Sequence, residues 1–464
     1  MISGTKSSGR ILGANERIRV AVTGVNGRGG SHIDGYSGLS NVVVTTLVDP
    51  DSRVFPSRIE QVKSRYGGAT PTCVKDLREV LDGDAIDVVS IASTNHWHAL
   101  LSIWACQAGK DVYVEKPCSH NVYEGRKLVE AARKYERIVQ HGTQNRSDER
   151  WAALAAAARS GKYGRLLVAY GYASKPRPSI GFKEPKQPPS DFDFDLWLGP
   201  APQQPYHDNI VHYNWHWFWD FGNGEIGNQG VHQMDLARWG LPVDAVPKSV
   251  VSLGGRFGYK DQGQTPNTQL TIIDCGGPKI IFEDRGLVGT KPVVRDAKPD
   301  SPRVTNEYLC EGGLLRDGRF FPNDAPDSAG EPIESIEPPK PGGPFGNFIE
   351  AVRSRDRSVL NAEILEGHRS SLLCHIANIS YRVGVEAPLA EVPSALGSDG
   401  RAIAAFESMR DHLVTHAGLD VSRDRIRIGR LLVWDDARET FSDPEADRLL
   451  TREYRSPFTV PEMV

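Results

Sequence analysis

Two short stretches hold residues that could move protons. Glu115-Lys116-Pro117 closes the run Asp111-Val-Tyr-Val114, and a lysine just past the carboxyl end of a parallel strand stands where open α/β sheets place their ligand crevice. Such a lysine can donate to a substrate hydroxyl and steady negative charge growing on oxygen. A surface lysine paired with Glu115 would look the same. The second stretch runs from Gly222 through Gly227-Asn228 and Gly230 to His232 and Asp235, a glycine-rich loop entering a helix. Asn228, His232 and Asp235 fall at i, i+4 and i+7 and share one helical face. A histidine there can serve as general base, with a carboxylate fixing its tautomer. Packing at a domain interface would account for it equally.

The elements that must position these residues start at Ile18-Arg-Val-Ala-Val-Thr23, an apolar run followed by Gly24, Asn26, Gly27, Arg28 and Gly29. The run reads as a buried parallel strand, and the glycines as a tight turn opening a helix. Such a turn aims unpaired N–H groups and the positive end of a helix dipole at a pyrophosphate. The next apolar run, Val42–Val48, ends on Asp49, 20 residues past Gly29. A dinucleotide-binding fold places there the acid that holds the adenosine ribose. Asn26 stands where a strict G-x-G-x-x-G pattern has glycine, and asparagine tolerates positive φ.

From Ile18 to about Val139, apolar strands alternate with helical segments, the signature of a doubly wound parallel sheet. Ser93, Thr94 and Asn95 are N-cap candidates for a helix running to Gln107. The expected organisation is α/β. A Rossmann domain spans 16–145. An α+β domain with a large, mostly antiparallel open sheet spans 146–464. In the second part, Leu166–Tyr172, Gln269–Asp274 and Lys279–Glu283 read as strands, and Phe345–Arg353 and Ala362–Val383 as helices. Residues 286–343, rich in Gly, Pro and Asp, read as surface loops. The tail after Glu386 ends in an extended segment, Ser456–Pro461.

A length of 464 residues favours two domains, and 39% hydrophobic with 25% charged residues is a soluble composition. Fifty-five basic against 59 acidic residues, without a basic block, disfavours nucleic acid and anionic membrane as partners. Six scattered cysteines lack C-x-x-C pairs, so neither structural zinc nor a disulfide scaffold is expected. His207, His212 and His216, interleaved with Tyr206, Tyr213, Trp215, Trp217 and Trp219, lack the carboxylate support of a metal site. They suit the wall of a sugar pocket or an aromatic core. His375 and Asn378 share a helix face and read as capping or packing residues. Met1 to Asn15 hold no hydrophobic signal core, which favours the cytoplasm, although a chain whose export signal has been removed would read the same.

Gly24…Gly29, Asp49, Thr94-Asn95-His96-Trp97-His98, Glu115-Lys116-Pro117 and Gly227…His232…Asp235 together resemble the Gfo/Idh/MocA family, from about Ile18 to Val383. The resemblance implies NAD, or NADP, as hydride carrier and Lys116 and His232 as the catalytic pair. It implies cofactor contacts at Gly24, Asn26, Gly27, Arg28, Gly29, Asp49, Ser93, Thr94, Asn95, His98, Glu115, Lys116 and Gln144. It also implies an aspartate where this chain has Asn228, which would leave Asn228 to orient, His232 as base and Asp235 to hold it. The carboxylate of Asp49 favours NAD, with Arg53 four residues on as the contrary sign. The implied substrate is a sugar, polyol or glycoside. Some members of the family hydrolyse glycosides by transient oxidation, elimination and hydration. The family's second-domain sheet commonly forms a subunit contact, so a homodimer or homotetramer is expected.

Overall fold

The computed structural model describes residues 17–289, 303–326, 328–333 and 338–464. The segment Met1–Asn15 read for a signal core lies outside them. The N-terminal sheet contains β1 (Ile18–Thr23), β2 (Val42–Val48), β3 (Thr72–Val74), β4 (Val88–Ile91), β5 (Asp111–Val114) and β6 (Val139–His141), in the order 3-2-1-4-5-6. Every pairing in it is parallel. The helices Arg28–Ser37, Phe55–Arg65, Asn95–Gln107 and Val122–Lys134 connect the strands. This is the doubly wound Rossmann arrangement, whose strand order reverses between β1 and β4 and opens a crevice there. Its core draws on distant chain. Phe348, Ile349 and Val352 of the helix Gly343–Ser354 pack with Ile18, Val20 and Val44, and Phe458 and Val460 pack against the other face.

The second sheet runs through β7 (Leu166–Ser174), β8 (Ser249–Gly255), β9 (Thr268–Asp274), β10 (Lys279–Arg285), β11 (Arg303–Cys310), β12 (Gly313–Arg316) and β13 (Arg319–Pro322), in the order 13-12-11-7-10-9-8. β7 and β10 pair parallel and the other pairs are antiparallel. Three of these strands fall in the region read as loop. β11 was hidden by its inward-facing Asn306, a polar residue at a core position. Its amide satisfies the carbonyls of Tyr170 and Gln233, so no apolar alternation shows.

Side chains on the second sheet alternate between two covered faces. Ile280 and Phe282 point to a cluster with Met234 and Ala237 of the helix Gly230–Trp239 and Leu373 and Ile376 of the helix Ile364–Arg382. Ile281, Val251, Leu253, Leu270 and Ile272 point the other way, onto Phe406, Met409 and Leu413 of the helix Gly400–Ala417. That helix was not legible in the tail, and it covers this face of the sheet. Phe406 is 1% exposed, so Phe406→Ala should cost about 3–5 kcal/mol through lost burial and a residual cavity. Urea unfolding of the purified variant measures it.

Candidate active site

The turn after β1 is shaped by contact as well as by conformation. Gly24 has φ +79°, and a Cβ there would lie 2.5 Å from the Ala92 carbonyl oxygen and the Ser93 nitrogen at the end of β4. A Cβ on Gly29 would meet the Gly24 carbonyl at 2.4 Å. Gly27 is different. A Cβ there would meet nothing within 4 Å, and no side chain caps the helix Arg28–Ser37 that Gly27 opens. Asn26 is absent from the residues with positive φ, so its tolerance of that region is not needed. Its carbonyl and that of Val25 instead accept hydrogen bonds from Arg58 at 2.6 and 2.7 Å.

A cavity of about 540 Å³ runs from this turn into the second half of the chain. Gly24, Asn26, Gly27, Arg28, Asp49, Ser93, Thr94, Asn95, His98, Glu115, Lys116, Gln144, Asn228 and His232 all line it. Of the expected site residues, Gly29 and Asp235 do not. The open space before Gly27 and the uncapped amides behind it fit a dinucleotide pyrophosphate. At one end Asp49 accepts hydrogen bonds from the backbone of Val25 and Asp51 at 2.9 and 3.0 Å. Burial lifts its carboxyl to about 6 against those bonds. Arg53 forks onto Asp51 at 2.7 and 2.5 Å.

At the other end Lys116 and His232 face the same space from separate halves of the chain. The Lys116 Nζ donates to the backbone and side-chain oxygens of Asn228 at 2.9 and 3.3 Å. Burial draws the ammonium below the usual lysine range, against the charges of Glu115 and Glu225. His232 is drawn down to about 3, by burial first and by the positive charge of Lys116 second. Both causes favour the neutral imidazole. Asp235 does not hold it. The carboxylate takes the Arg146 Nε at 2.9 and 3.0 Å and the Ser370 hydroxyl at 2.7 Å, and the His232 Nδ1 is buried without a partner among the described residues. Asn228 also departs from the shared helical face, since it lies between the short turn Gly224–Gly227 and the helix that starts at Gly230.

The sequence reading missed the groups behind Lys116. Glu225 is clamped by Arg177 at 2.8 and 2.6 Å and accepts from the Asn228 amide at 3.3 Å. A carboxylate therefore sits directly behind the asparagine that stands where the resemblance implies an aspartate. Glu225 precedes Asn228 by three residues, a spacing that could have flagged it. Glu115 proves to be a hub, with its Oε1 accepting from Arg28, His32 and Gln144 at 2.9, 3.1 and 2.8 Å. Asn95 donates to Asn223 at 3.0 Å, while both His98 ring nitrogens reach carbonyls, of Pro117 at 2.6 Å and Ser93 at 2.9 Å. His96 and Trp97 both bond the Trp197 carbonyl; Trp97 also lines the cavity, while His96 stands behind it.

The aromatic segment splits. Leu196, Trp197, His212, Tyr213, Trp215 and His216 line the cavity, whereas Tyr206 packs on Phe192 and Phe194 and Trp219 lies near Tyr381. The segment crosses to the Rossmann half as a strap. Phe192 bridges to Asp51, Ser52 and Asp193 exchange backbone bonds with Asp191 and Pro50, and His212 bonds Asp51 at 2.9 Å.

Residues 18–143 match the family described as "Oxidoreductase family, NAD-binding Rossmann fold", and residues 180–282 match its "C-terminal alpha/beta domain". The chain belongs to the Gfo/Idh/MocA oxidoreductase family, and residues 18–143 form its NAD-binding domain. Among curated relatives, an α-N-acetylgalactosaminidase of Shewanella oneidensis is 30% identical over 138 residues, 29% of this chain and 30% of the relative. A myo-inositol 2-dehydrogenase of Thermotoga maritima is 25% identical over 175 residues, 38% of this chain and 48% of the relative. The chain thus spans under half the length of either. Solved structures share the fold over most of their length. A WlbA dehydrogenase from a Chromobacterium, in complex with NADH and UDP-GlcNAcA, has TM-score 0.56 at 17% identity, covering 79% of this chain and 94% of that one. A levoglucosan dehydrogenase with NADH has TM-score 0.55 at 16% identity, covering 77% and 95%.

Asp49 carries a pH signature. A carboxyl raised from its usual value of about 4 to about 6 contributes stability that is complete below pH 4 and is lost as pH rises through 6. In nucleotide-stripped protein, the stability of the wild type relative to Asp49→Asn should therefore fall by on the order of 2 kcal/mol between pH 4 and pH 7. Urea titrations at both pH values give the difference, and a pH-independent difference would contradict it.

Proposed function

We propose that this protein oxidises a hydroxyl-bearing carbon of a sugar, polyol or glycoside, with a nicotinamide dinucleotide held in the 540 Å³ cavity. The observation that carries the reading is the meeting of Lys116 and His232 at one end of that cavity, opposite the glycine turn. When bound, the dinucleotide supplies the hydride acceptor. His232 is kept neutral and takes the hydroxyl proton as general base. Lys116 has three N–H donors, spends two on Asn228, and keeps one for the oxygen on which negative charge grows. Asp49, with Arg53 already engaged by Asp51, supports NAD over NADP, because a carboxylate repels a 2′-phosphate.

Replacing Lys116 or His232 with Ala should lower turnover about 10²–10⁴-fold while the nucleotide content of the protein is unchanged. Near-normal turnover in both variants would discard the assignment.

A second reading is favoured by the strap from 189 to 217, which bonds Asp51 and Pro50 over the adenosine end. A dinucleotide so covered suits a redox-neutral reaction, in which a glycoside is oxidised, loses its aglycone by elimination, gains water and is reduced again. Several curated relatives carry the name glycosyl hydrolase family 109 protein. Purified protein is tested for extractable nucleotide, then incubated with sugars and aryl glycosides. NADH that rises in proportion to substrate supports the dehydrogenase. Aglycone release with no net NADH, from protein that retains its nucleotide through gel filtration, supports the hydrolase.

A further inference from the structure

Asn95 lines the main cavity, and its partner Asn223 lines a second one of about 320 Å³. That volume is at the lower end of the roughly 300–1,000 Å³ typical of small-molecule sites. The walls come from four distant parts of the chain: His120 after β5, Trp219 and Asp220 beside Asn223, His375 and Arg382 on the helix Ile364–Arg382, and Arg448 and Arg452 near the C-terminus. None of these groups takes part in the chemistry proposed above.

Several groups on its wall have no hydrogen-bond partner among the described residues, the exposed Arg382 among them. Arg382 lies over the Trp219 ring at 5.2 Å, and no hydrogen bond from its guanidinium is found among the described residues. Arg452 spends its Nη1 on the Asp220 carbonyl at 2.8 Å and the His120 Nδ1 at 3.3 Å, and its Nε is buried without a partner. The His120 Nε2 and the His375 Nδ1 are also buried and unpartnered, and His375 is only 3% exposed. Two carboxylates share the lining, Asp220 and Glu453. Asp220 stands 3.8 Å from Arg452 and accepts from Gln204. Neither forms an ion pair with Arg382 or Arg448 among the described residues. Burial and then Arg452 push the His120 imidazole well below its usual range, as expected where positive charge outweighs negative. An arginine fork matches the two oxygens of a carboxylate or phosphate, and a buried donor left unpaired costs about 1–3 kcal/mol. The complement of this wall is an anion.

We propose that this cavity binds a small organic anion, its carboxylate or phosphate held by Arg382, Arg448 and Arg452 and its body laid against Trp219. Calorimetric titration of the purified full chain with D-glucuronate, glucose 6-phosphate and glucose tests it. One equivalent of glucuronate or of glucose 6-phosphate should bind and glucose should not, and the anion that binds identifies which group the site takes. Arg448→Gln, at an exposed position, and Arg382→Met should each weaken binding at least tenfold with an unchanged melting temperature. Lys116→Ala, which alters only the other cavity, should leave binding as it is. Absence of saturable binding by both anions, equal binding of glucose, unchanged affinity in Arg448→Gln, or loss in Lys116→Ala would each overturn the proposal. Should Arg382→Met fail to fold, Arg448→Gln decides alone.

Discussion

The Glu115 carboxylate is the point on which the site's geometry depends. Burial opposes its charge, yet the hydrogen bond from His32 and the charge of Arg28 hold it well below the usual carboxylate range. It gathers Arg28 and His32 from the helix after the glycine turn and Gln144 from beyond β6. Its own backbone leads directly to Lys116. The turn that faces a pyrophosphate and the lysine that faces a substrate oxygen are therefore tied through one anion. Space around it is tight: a Cβ on Gly142 would come within 3.0 Å of the Glu115 side chain. A reacting group fixed this way needs little reorganisation when substrate arrives, which is where preorganised sites gain their advantage.

An asparagine at 228, where the family resemblance implies an aspartate, has a consequence for that lysine. A carboxylate in direct contact with Lys116 would favour its charged form and raise its pKa. Asn228 offers two neutral oxygens instead, so burial dominates and the ammonium is drawn down. The negative charge has not vanished from the site. It sits on Glu225, which Arg177 largely neutralises. Lys116 is thereby positioned by hydrogen bonds and poised by its surroundings, and a proton on it is held less tightly than an ion pair would hold it.

Much of this was legible because parallel, fully buried strands announce themselves as continuous apolar runs. β1, β2 and β5 begin and end where Ile18–Thr23, Val42–Val48 and Asp111–Val114 predicted, and the chemistry lies at their carboxyl ends. Type and spacing made Lys116 and His232 candidates, the family resemblance singled them out, and both line the same cavity. Asp235 was misassigned because helical spacing says which residues share a face, and cannot say that Arg146 arrives there from another element. The strands between 303 and 322 were lost because an inward asparagine broke their alternation. The helix Gly400–Ala417 packs on the sheet through Phe406, Met409 and Leu413, while Glu407, Arg410 and Asp411 mark the polar side. That pattern is readable in principle and was passed over in a region treated as tail.

The strap between 189 and 217 shows where a sequence without periodicity still decides chemistry. Its pairing with Asp51 and Pro50 rests on a bridge, backbone bonds and one imidazole–carboxylate contact, backed by the buried rings of Phe192, Phe194, Trp197 and Trp215. Each such bond is worth about 1 kcal/mol net, and buried rings add to that. An opening that breaks several together costs enough to slow passage through the adenosine end by orders of magnitude, since about 1.4 kcal/mol is tenfold in rate. On the reading proposed above, this crossing segment rather than the Rossmann turn would set how readily a bound dinucleotide leaves.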